Sequence, residues 1–591
     1  MRPANQKFVS SKIRIIGILK RLPFILNLIA VALLVFDFGF DQSSTIAKEL
    51  LWVYTVSLII TLASMSRRYF SKLDCPPQKV WLFDAILGAF ISLILLNFLF
   101  GHRMLGLDTV EWFVLSVLFA LIREFSALKI DFQIQYFNPA QLFIFSFIII
   151  VLLGMCMLML PNATYDGISV IDALFTSTSA VCVTGLIVVD TGSYFTHFGQ
   201  WIIIGLIQIG GLGIMTFTSY FSYFFRGSSS YETQLLLRDM TNSEKIAEVF
   251  DTLKKIILIT IIIESIGAVL IYISLDSKII PGFSDQVFFS IFHSISAFCN
   301  AGFSTLADSL YDVNYRYNYS MHFYIAMLFI LGGIGFPIIF NLFKYIKHTI
   351  LHRLMQLGDK EKIIYSPWMI NVNTRIVIVT TALLIFIGTL FFFVFEYDNT
   401  LANHQGMGKL VTAFFGAVTP RTAGFNTVDM SAMHFSTILF TFMLMWIGAS
   451  PGSTGGGIKT STIAIATLNY LSIAKGKNRI EVFHREVAEI TVRRAFALMS
   501  LSLVVIVISI ILMAWFDEDQ HLLPLGFECF SAYSTVGLSL GITASLSTAS
   551  KFVLIATMFV GRVSMLTILI ALLRKMKHLN YRYPTEEILI N

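Results

Sequence analysis

Val183-Thr184-Gly185-Leu186, Asn300-Ala301-Gly302-Phe303, Thr422-Ala423-Gly424-Phe425 and Thr535-Val536-Gly537-Leu538 are one short pattern written four times, about every 115 residues. Each copy follows a short apolar stretch and precedes a longer one. Recurrence at such a period marks an array of like structural units. The medium follows from composition: of 591 residues, 56% are hydrophobic and only 13% charged, and the mean hydropathy is +0.77. About twenty apolar residues in a helix span a hydrocarbon core of roughly 30 Å, and runs of that length recur along the chain. The fold class is therefore an all-α polytopic membrane protein. Four covalently linked helix–pore loop–helix repeats surround a central path, and four further transmembrane helices precede them.

Twelve spans are expected, at about 22–40, 50–66, 79–100, 106–122, 139–160, 198–224, 253–275, 320–345, 373–395, 432–472, 495–515 and 550–574. The units then run 1–135 for the N-terminal extension, 136–228 for repeat 1 and 229–350 for repeat 2. Repeat 3 is 351–480, and 481–591 holds repeat 4 with a tail. The N-terminus, Arg67–Lys72, Arg123–Lys129, Arg226–Lys255, Lys344–Lys362, Lys475–Arg494 and Arg574–Arg582 are basic, and twelve spans place them all on one side. Basic loops mark the cytoplasmic face, so both termini are expected there, in the cytoplasmic (inner) membrane, with every glycine turn in the outer half. The net charge of +6 reads as this topology signal and not as a nucleic-acid surface. No cleavage site follows the first apolar run, which reads as an uncleaved span. The five cysteines form no C-x-x-C pair, so neither a disulfide framework nor a zinc site is implied. Span four carries no arginine in its apolar part, unlike a voltage sensor. No polar stretch is long enough for a soluble ATP-hydrolysing domain, and no nucleophile–base constellation marks an enzyme.

Non-helical backbone inside a bilayer survives only where it is buried or lines a water path. A short helix that stops mid-membrane turns its negative dipole end to the centre, and the turn after it offers carbonyl oxygens that replace the water shell of a dehydrated cation. The candidate cation-binding set is Cys182, Val183, Thr184 and Gly185; Cys299, Asn300, Ala301 and Gly302; Arg421, Thr422, Ala423 and Gly424; and Ser534, Thr535, Val536 and Gly537. The repeats are unequal. Ser179-Ala180, Ser296-Ala297 and Ser531-Ala532 precede three of the glycines, whereas Val418-Thr419 stands in the third, followed by Pro420 and Arg421. Arg421 beside a cation site calls for a carboxylate behind the loop, and Glu528 is the candidate partner. His293 reads as a packed or hydrogen-bonded side chain. The glycines of Gln208–Gly213 and Leu331–Phe336 read first as sites of close helix approach and second as bends.

Span ten, at about forty residues, is twice the length of one crossing. Pro451 and glycines 452, 455, 456 and 457 interrupt it, and each glycine costs a helix roughly 1 kcal/mol. Ala449–Gly457 is expected to be an irregular loop that lines the path below the turns. Gly-Ser-Thr-Gly-Gly-Gly-Ile-Lys-Thr imitates a phosphate-binding loop, but Ile458 breaks the Gly-Lys-[Ser/Thr] spacing and no strand precedes it. Arg562 lies inside the last span, and an intramembrane arginine is a functional candidate by default.

These stretches resemble those of the TrkH/KtrB (Trk/Ktr/HKT) potassium-transporter superfamily. The motifs are Ser179–Gly192, Ala297–Phe303, Thr419–Thr427 and Phe527–Ser539, joined by Gln208–Thr216, Gly448–Thr460 and Gly561–Val563. The likeness covers about 139–580, and Asp190–Gln200 leans to the Na+-linked KtrB branch. The resemblance implies K+ uptake through a channel-like pore with a four-glycine selectivity filter, with Na+ as an influence. It implies a gate formed by Gly452, Ser453, Thr454, Gly455, Gly456 and Gly457, with Arg562 facing the loop and Lys459 at the inner mouth. It also implies a homodimer and a TrkA/KtrA-like cytoplasmic nucleotide-binding ring, for which the basic loops Arg226–Lys255, Lys344–Lys362 and Lys475–Arg494 are docking surfaces; this chain itself binds no nucleotide. The alternative is a K+/Na+ or K+/H+ symporter with alternating access, which needs a coupling site at the midplane; the spans show no central Asp or Glu pair. A sensory protein with a permanently closed pore is the remaining class.

Overall fold

The computed structural model describes residues 4–70, 78–100, 110–127, 139–226, 249–356, 370–477 and 479–572. It is helical apart from one two-stranded hairpin, β1 Glu481–Val482 with β2 Arg485–Glu486, among the described residues. Helices dominate because in lipid each backbone N–H and C=O must be paired within its own segment. Two compact units form: residues 1–132 with 160–167, and 133–159 with 168–591.

The first unit comprises α1 Ala4–Gly39, α2 Ser44–Phe70, α3 Gln78–Phe100 and α4 Val110–Ala127. Its interior face on α2 is polar at helical spacing. Tyr54 Oη donates to Asp37 at 3.2 Å, Ser57 Oγ to Asn27 Oδ1 at 3.1 Å, and Asn27 Nδ2 to Thr61 Oγ1 at 2.8 Å. Two turns further, Arg68 pairs with Glu124, while Arg123 Nη2 meets Asp84 Oδ2 at 2.7 Å. Paired this way, side chains that are expensive in an apolar interior become specific contacts between helices.

The second unit is built from four successive helix–short helix–turn–helix segments. These are α5 Pro139–Leu158, α6 Val170–Val181 and α7 His197–Arg226; then α8 Val249–Ser274, α9 Phe283–Phe298, and α10 Tyr319–Ile334 with α11 Phe336–Gln356. The third is α12 Val372–Phe395, α13 Met407–Val418, α14 Phe435–Trp446 and α15 Thr460–Ala474. The fourth is α16 Glu489–Phe516, α17 Leu522–Ser534, α18 Thr548–Val563 and α19 Met565–Leu572. Each of the twelve expected apolar stretches carries helix. Among the described residues seven helices are long and apolar enough to cross a membrane, or eight when a bent pair is taken as one span.

The breaks share a position. α10 and α11 meet at an angle of 100°, at Gly335 with φ +94°. The bend ranked second on sequence grounds is thus present, and close approach is present as well: a Cβ on Gly332 would stand 2.0 Å from the Phe298 carbonyl oxygen. Gly210 and Gly561 stand in the same way against the Val181 and Tyr533 carbonyls, at 2.1 and 1.9 Å. In each case a helix axis touches the C-terminal end of a short helix, which a side chain would forbid. Ser564, three residues past Gly561, carries φ +72° and separates α18 from α19.

The first and last repeats are pinned together by Lys551 Nζ and Asp172 Oδ1 at 2.8 Å, both largely buried. At the start of α6 the Asp172 N–H donates to the N-cap Ser169 Oγ at 3.1 Å, and that hydroxyl donates to Asp172 Oδ2 at 2.7 Å. Lys551→Ala is expected to destabilise the detergent-extracted protein by about 1 kcal/mol, as read by thermal melting.

A second tie sits at the start of α13, where Tyr319 Oη and His404 Nδ1 are 3.1 Å apart. Burial, then Arg316 and Lys409, hold His404 below its ordinary pKa. The folded state therefore favours the neutral ring. Its contribution to stability is present above the unfolded value of about 6.5 and is lost as pH falls below it. Melting measured between neutral and mildly acidic pH should show this decline, and His404→Gln should flatten it.

Candidate ion pathway

Each short helix ends the same way. The residue two before the glycine is left-handed in all four turns: Val183 φ 56°, Asn300 φ 60°, Thr422 φ 75° and Thr535 φ 49°. The glycines follow at φ 89°, 72°, 80° and 92°. Three of the four left-handed residues are β-branched, for which this region is a genuine outlier; such strain costs of order 1–3 kcal/mol and persists where surrounding structure over-determines it. Sequence reasoning assigned special angles to the glycines alone and missed these positions.

The strain is held by one bond pattern. The N–H of the residue before each glycine donates to a carbonyl near the helix end: Thr184 to Ser179 at 2.8 Å, Ala301 to Ser296 at 2.7 Å, Ala423 to Thr419 at 3.0 Å and Val536 to Ser531 at 2.8 Å. The same four residues supply hydroxyls. Gly185 N donates to Ser179 Oγ at 3.1 Å and Gly537 N to Ser531 Oγ at 3.0 Å. Ser296 Oγ donates to the Phe303 carbonyl at 2.7 Å and Thr419 Oγ1 to that of Phe425. Thr419 thus takes the place of serine in the third repeat, one residue nearer its glycine.

The four glycines close on one another in chain order. A Cβ on Gly185 would lie 2.3 Å from the Ala301 carbonyl oxygen; on Gly302, 2.8 Å from Gly424 Cα and 2.9 Å from the Ala423 oxygen. On Gly424 it would lie 2.5 Å from the Val536 oxygen, and on Gly537, 2.2 Å from that of Thr184. Each glycine therefore faces the carbonyl preceding the next one, and the fourth returns to the first.

A cavity of about 520 Å³ opens on the side toward which the chain leaves the turns. The four glycines line it together with Asp190, Asp308 and Asp429, and no lysine or arginine does. The fourth repeat contributes Ser539, Gly541 and Thr543; its carboxylate, Glu528, is buried behind them and accepts from Ser539 Oγ. The expected pairing of Glu528 with Arg421 is absent among the described ion pairs. Ser539 of the same repeat donates to Glu528 Oε1, Oε2 has no hydrogen-bond partner among the described residues, and Arg421, 7% exposed, lies outside the cavity lining. His293 is hydrogen-bonded, through Nδ1 to the Phe289 carbonyl and through Nε2 to Ser304 Oγ, each at 2.9 Å. Cys182 and Cys299 cap α6 and α9 with buried thiols, and Ser534, also buried, is the last residue of α17.

On the opposite side of the turns lies the loop between α14 and α15. Ile447 and Ile458 bridge its two ends, and Gly452 and Gly457 take φ 72° and 67°. A Cβ on Gly455 would strike Thr422 Oγ1 at 2.1 Å, and one on Gly456 would strike Thr535 Oγ1 at 2.2 Å. The loop thus presses against the third and fourth turns. Thr422 Oγ1 is also hydrogen-bonded to the Asn300 amide at 3.1 Å. Ser450 N donates to the Gly333 carbonyl at 2.9 Å, Phe336 N to that of Gly452 at 3.0 Å, and Ser453 Oγ to that of Ser450 at 2.6 Å. Arg562 Nη1 donates to the Thr454 carbonyl and Nη2 to that of Gly210 at 2.6 Å. Lys459 Nζ turns back onto the Gly455 carbonyl at 2.6 Å. The bend at Gly335 is what brings Gly452 within reach of repeat 2. The basic loop Arg226–Lys255 lies largely outside the described residues and the tail Arg574–Arg582 wholly so, whereas the first part of Lys344–Lys362 continues α11 as far as Gln356.

Residues 110–581 match the TrkH family, whose description is cation transport protein; the match begins inside α4. The Ktr system potassium uptake protein B of Bacillus subtilis is 37% identical over 454 residues, 76% of this chain and 96% of that protein. The potassium/sodium uptake protein NtpJ of Enterococcus hirae is 35% identical over 463 residues, covering 77% and 97%. The crystal structure of the potassium transporter TrkH from Vibrio parahaemolyticus shares the fold, with a TM-score of 0.58 at 18% identity over 83% of this chain and 96% of that one. With the family match spanning most of its length and relatives of this identity covered almost end to end, the chain belongs to the TrkH family of cation transport proteins.

Proposed function

We propose that this protein takes up K+ across the cytoplasmic membrane, from the outside inward, through a channel-like path. The four glycine turns act as its selectivity filter. The observation that carries the reading is the closed ring of glycines, each against the carbonyl that precedes the next. Backbone oxygens converging on one axis replace the hydration shell of a cation, and three carboxylates in the cavity before them raise its local concentration. K+ enters down its electrochemical gradient, to which an inside-negative potential adds about 2.3 kcal/mol per charge per 100 mV. The loop of residues 449–457, tied by Arg562 and Lys459, is the gate. The relatives named for Ktr systems support a multicomponent assembly; within it we place a homodimer of this chain and a cytoplasmic nucleotide-binding ring, with both termini on that side. The name potassium/sodium uptake protein supports an influence of Na+.

Rb+ or K+ uptake in cells lacking their own K+ uptake systems tests the reading, with and without Na+ and with candidate regulatory subunits co-expressed. Rescue of growth at low K+ is expected. Failure of well-inserted protein to rescue growth or carry Rb+ in any combination would remove it. Currents far above roughly 10³ ions per second exclude a tightly coupled symport cycle, which turns over at enzyme-like rates.

A further inference from the structure

α8 carries a carboxylate within its apolar stretch. Glu264 is 7% exposed, and its oxygens meet an amide and a thiol: Gln208 Nε2 donates to Oε2 at 3.1 Å, and Cys299 Sγ lies 3.8 Å from Oε1 and 3.7 Å from Gln208 Oε1, so the three groups form one cluster. An ionisable group in such a place is costly and by default functional; a leucine would pack there at no such cost. Its position is specific. Cys299 immediately precedes Asn300, the left-handed residue of the second turn. On its other side the thiol is boxed by the α7 backbone, because a Cβ on Gly211 would stand 2.6 Å from Sγ. The Glu264 main-chain carbonyl meanwhile accepts from Ser294 Oγ at 2.6 Å. One residue therefore grips α9 a turn before its end and again at its end. From there contact passes onward, through Asn300 to Thr422 at 3.1 Å and from Thr422 Oγ1 to Gly455.

We infer that Glu264, held by Gln208, is a positioning residue that fixes Cys299 and so keeps the Asn300–Gly302 turn in register with the other three, setting the preference for K+ over Na+. This rests on the reading of the turns as the filter. Glu264 touches no cation itself. It acts through Cys299, so its hydrogen-bonding shape matters and its charge does not.

The test is the ratio of K+ to Na+ uptake in the full-length protein, normalised to the amount in the membrane. Glu264→Ala is expected to lower the ratio about tenfold, the size of effect seen when an outer partner of a binding group is lost. Glu264→Gln, whose one carbonyl oxygen still accepts from Gln208 Nε2 while its amide N–H turns to the Cys299 sulfur and the thiol hydrogen to Gln208 Oε1, should stay within about twofold. Gln208→Ala should shift the ratio in the same direction, and the double variant should be no worse than Glu264→Ala alone, because the two act as one unit. A wild-type ratio in Glu264→Ala overturns the inference, as does equal damage from Glu264→Gln or additive effects in the double variant. If Glu264→Ala does not accumulate, Glu264→Met, of similar length without the acceptor oxygens, takes its place. Serine at Gly185, Gly302, Gly424 and Gly537 is measured alongside. An unchanged ratio at all four removes the filter reading itself, whereas a changed ratio with a silent Glu264→Ala removes only the role of Glu264.

Discussion

Serine at Gly185, Gly302, Gly424 or Gly537 is expected to relax K+ over Na+ discrimination or abolish uptake, with losses of at least about tenfold. Two effects add. The glycines sit at φ between 72° and 92°, a region that disfavours any side chain. A new Cβ would also meet backbone of the neighbouring turn at 2.2 to 2.8 Å. Backbone cannot swing aside as a flexible side chain does, so the neighbouring carbonyl moves, and with it the spacing of the oxygens. The damage should be greatest at Gly537 and Gly185, whose closest contacts are a carbonyl oxygen at 2.2 and 2.3 Å. Gly302 meets a Cα at 2.8 Å and the carbonyl oxygen only at 2.9 Å, and should be the mildest. Ion competition in uptake assays measures this directly. Wild-type discrimination at all four positions would show that the turns do not select the ion.

Deletion of Gly455–Gly457 is expected to raise flux several-fold or more. The deleted residues are those pressed against the threonine hydroxyls of the third and fourth turns, so removal clears the side of the ring opposite the aspartate-lined cavity. Arg562→Ala should act in the same direction by a different route. Its guanidinium joins the Thr454 and Gly210 carbonyls, and hydrogen bonds from a charged donor are each worth about 1.5–3 kcal/mol. Loss of one such bond would shift a two-state loop by about tenfold or more. Arg562→Lys keeps the charge but not the planar fork that reaches both carbonyls, so it should fall between. Open probability in reconstituted membranes separates these outcomes from altered expression. Lower flux from well-assembled deletion protein would count against a closing role for the loop.

Much of the pathway was legible because its signals are local. Four glycines at a near-constant period, each after a short apolar stretch, are visible without coordinates. So are a glycine-rich break in a span too long for one crossing and an arginine where hydrocarbon is expected. The long-range partners were not legible. Glu528 looked suited to Arg421, yet the side chain that reaches it is Ser539 of its own repeat. Thr419 looked like a departure from the serine pattern, yet it takes the same role because its turn is one residue shorter. Leu331–Phe336 read first as a packing surface, and only the bend at Gly335 shows that it also delivers the chain to Gly452.

By itself the sequence determined the medium, the helical class, the four repeats and the two kinds of backbone segment that cannot be helix, the glycine turns and the loop within span ten. These follow from hydropathy and glycine content, which act over one turn or one span. The tertiary structure alone decided that the glycines close in chain order, that Val183, Thr422 and Thr535 take left-handed angles their side chains resist, and that Glu264 grips the end of α9. Those features depend on which carbonyl, hydroxyl or thiol from a distant segment arrives within 3 or 4 Å, and no spacing within one segment encodes that meeting.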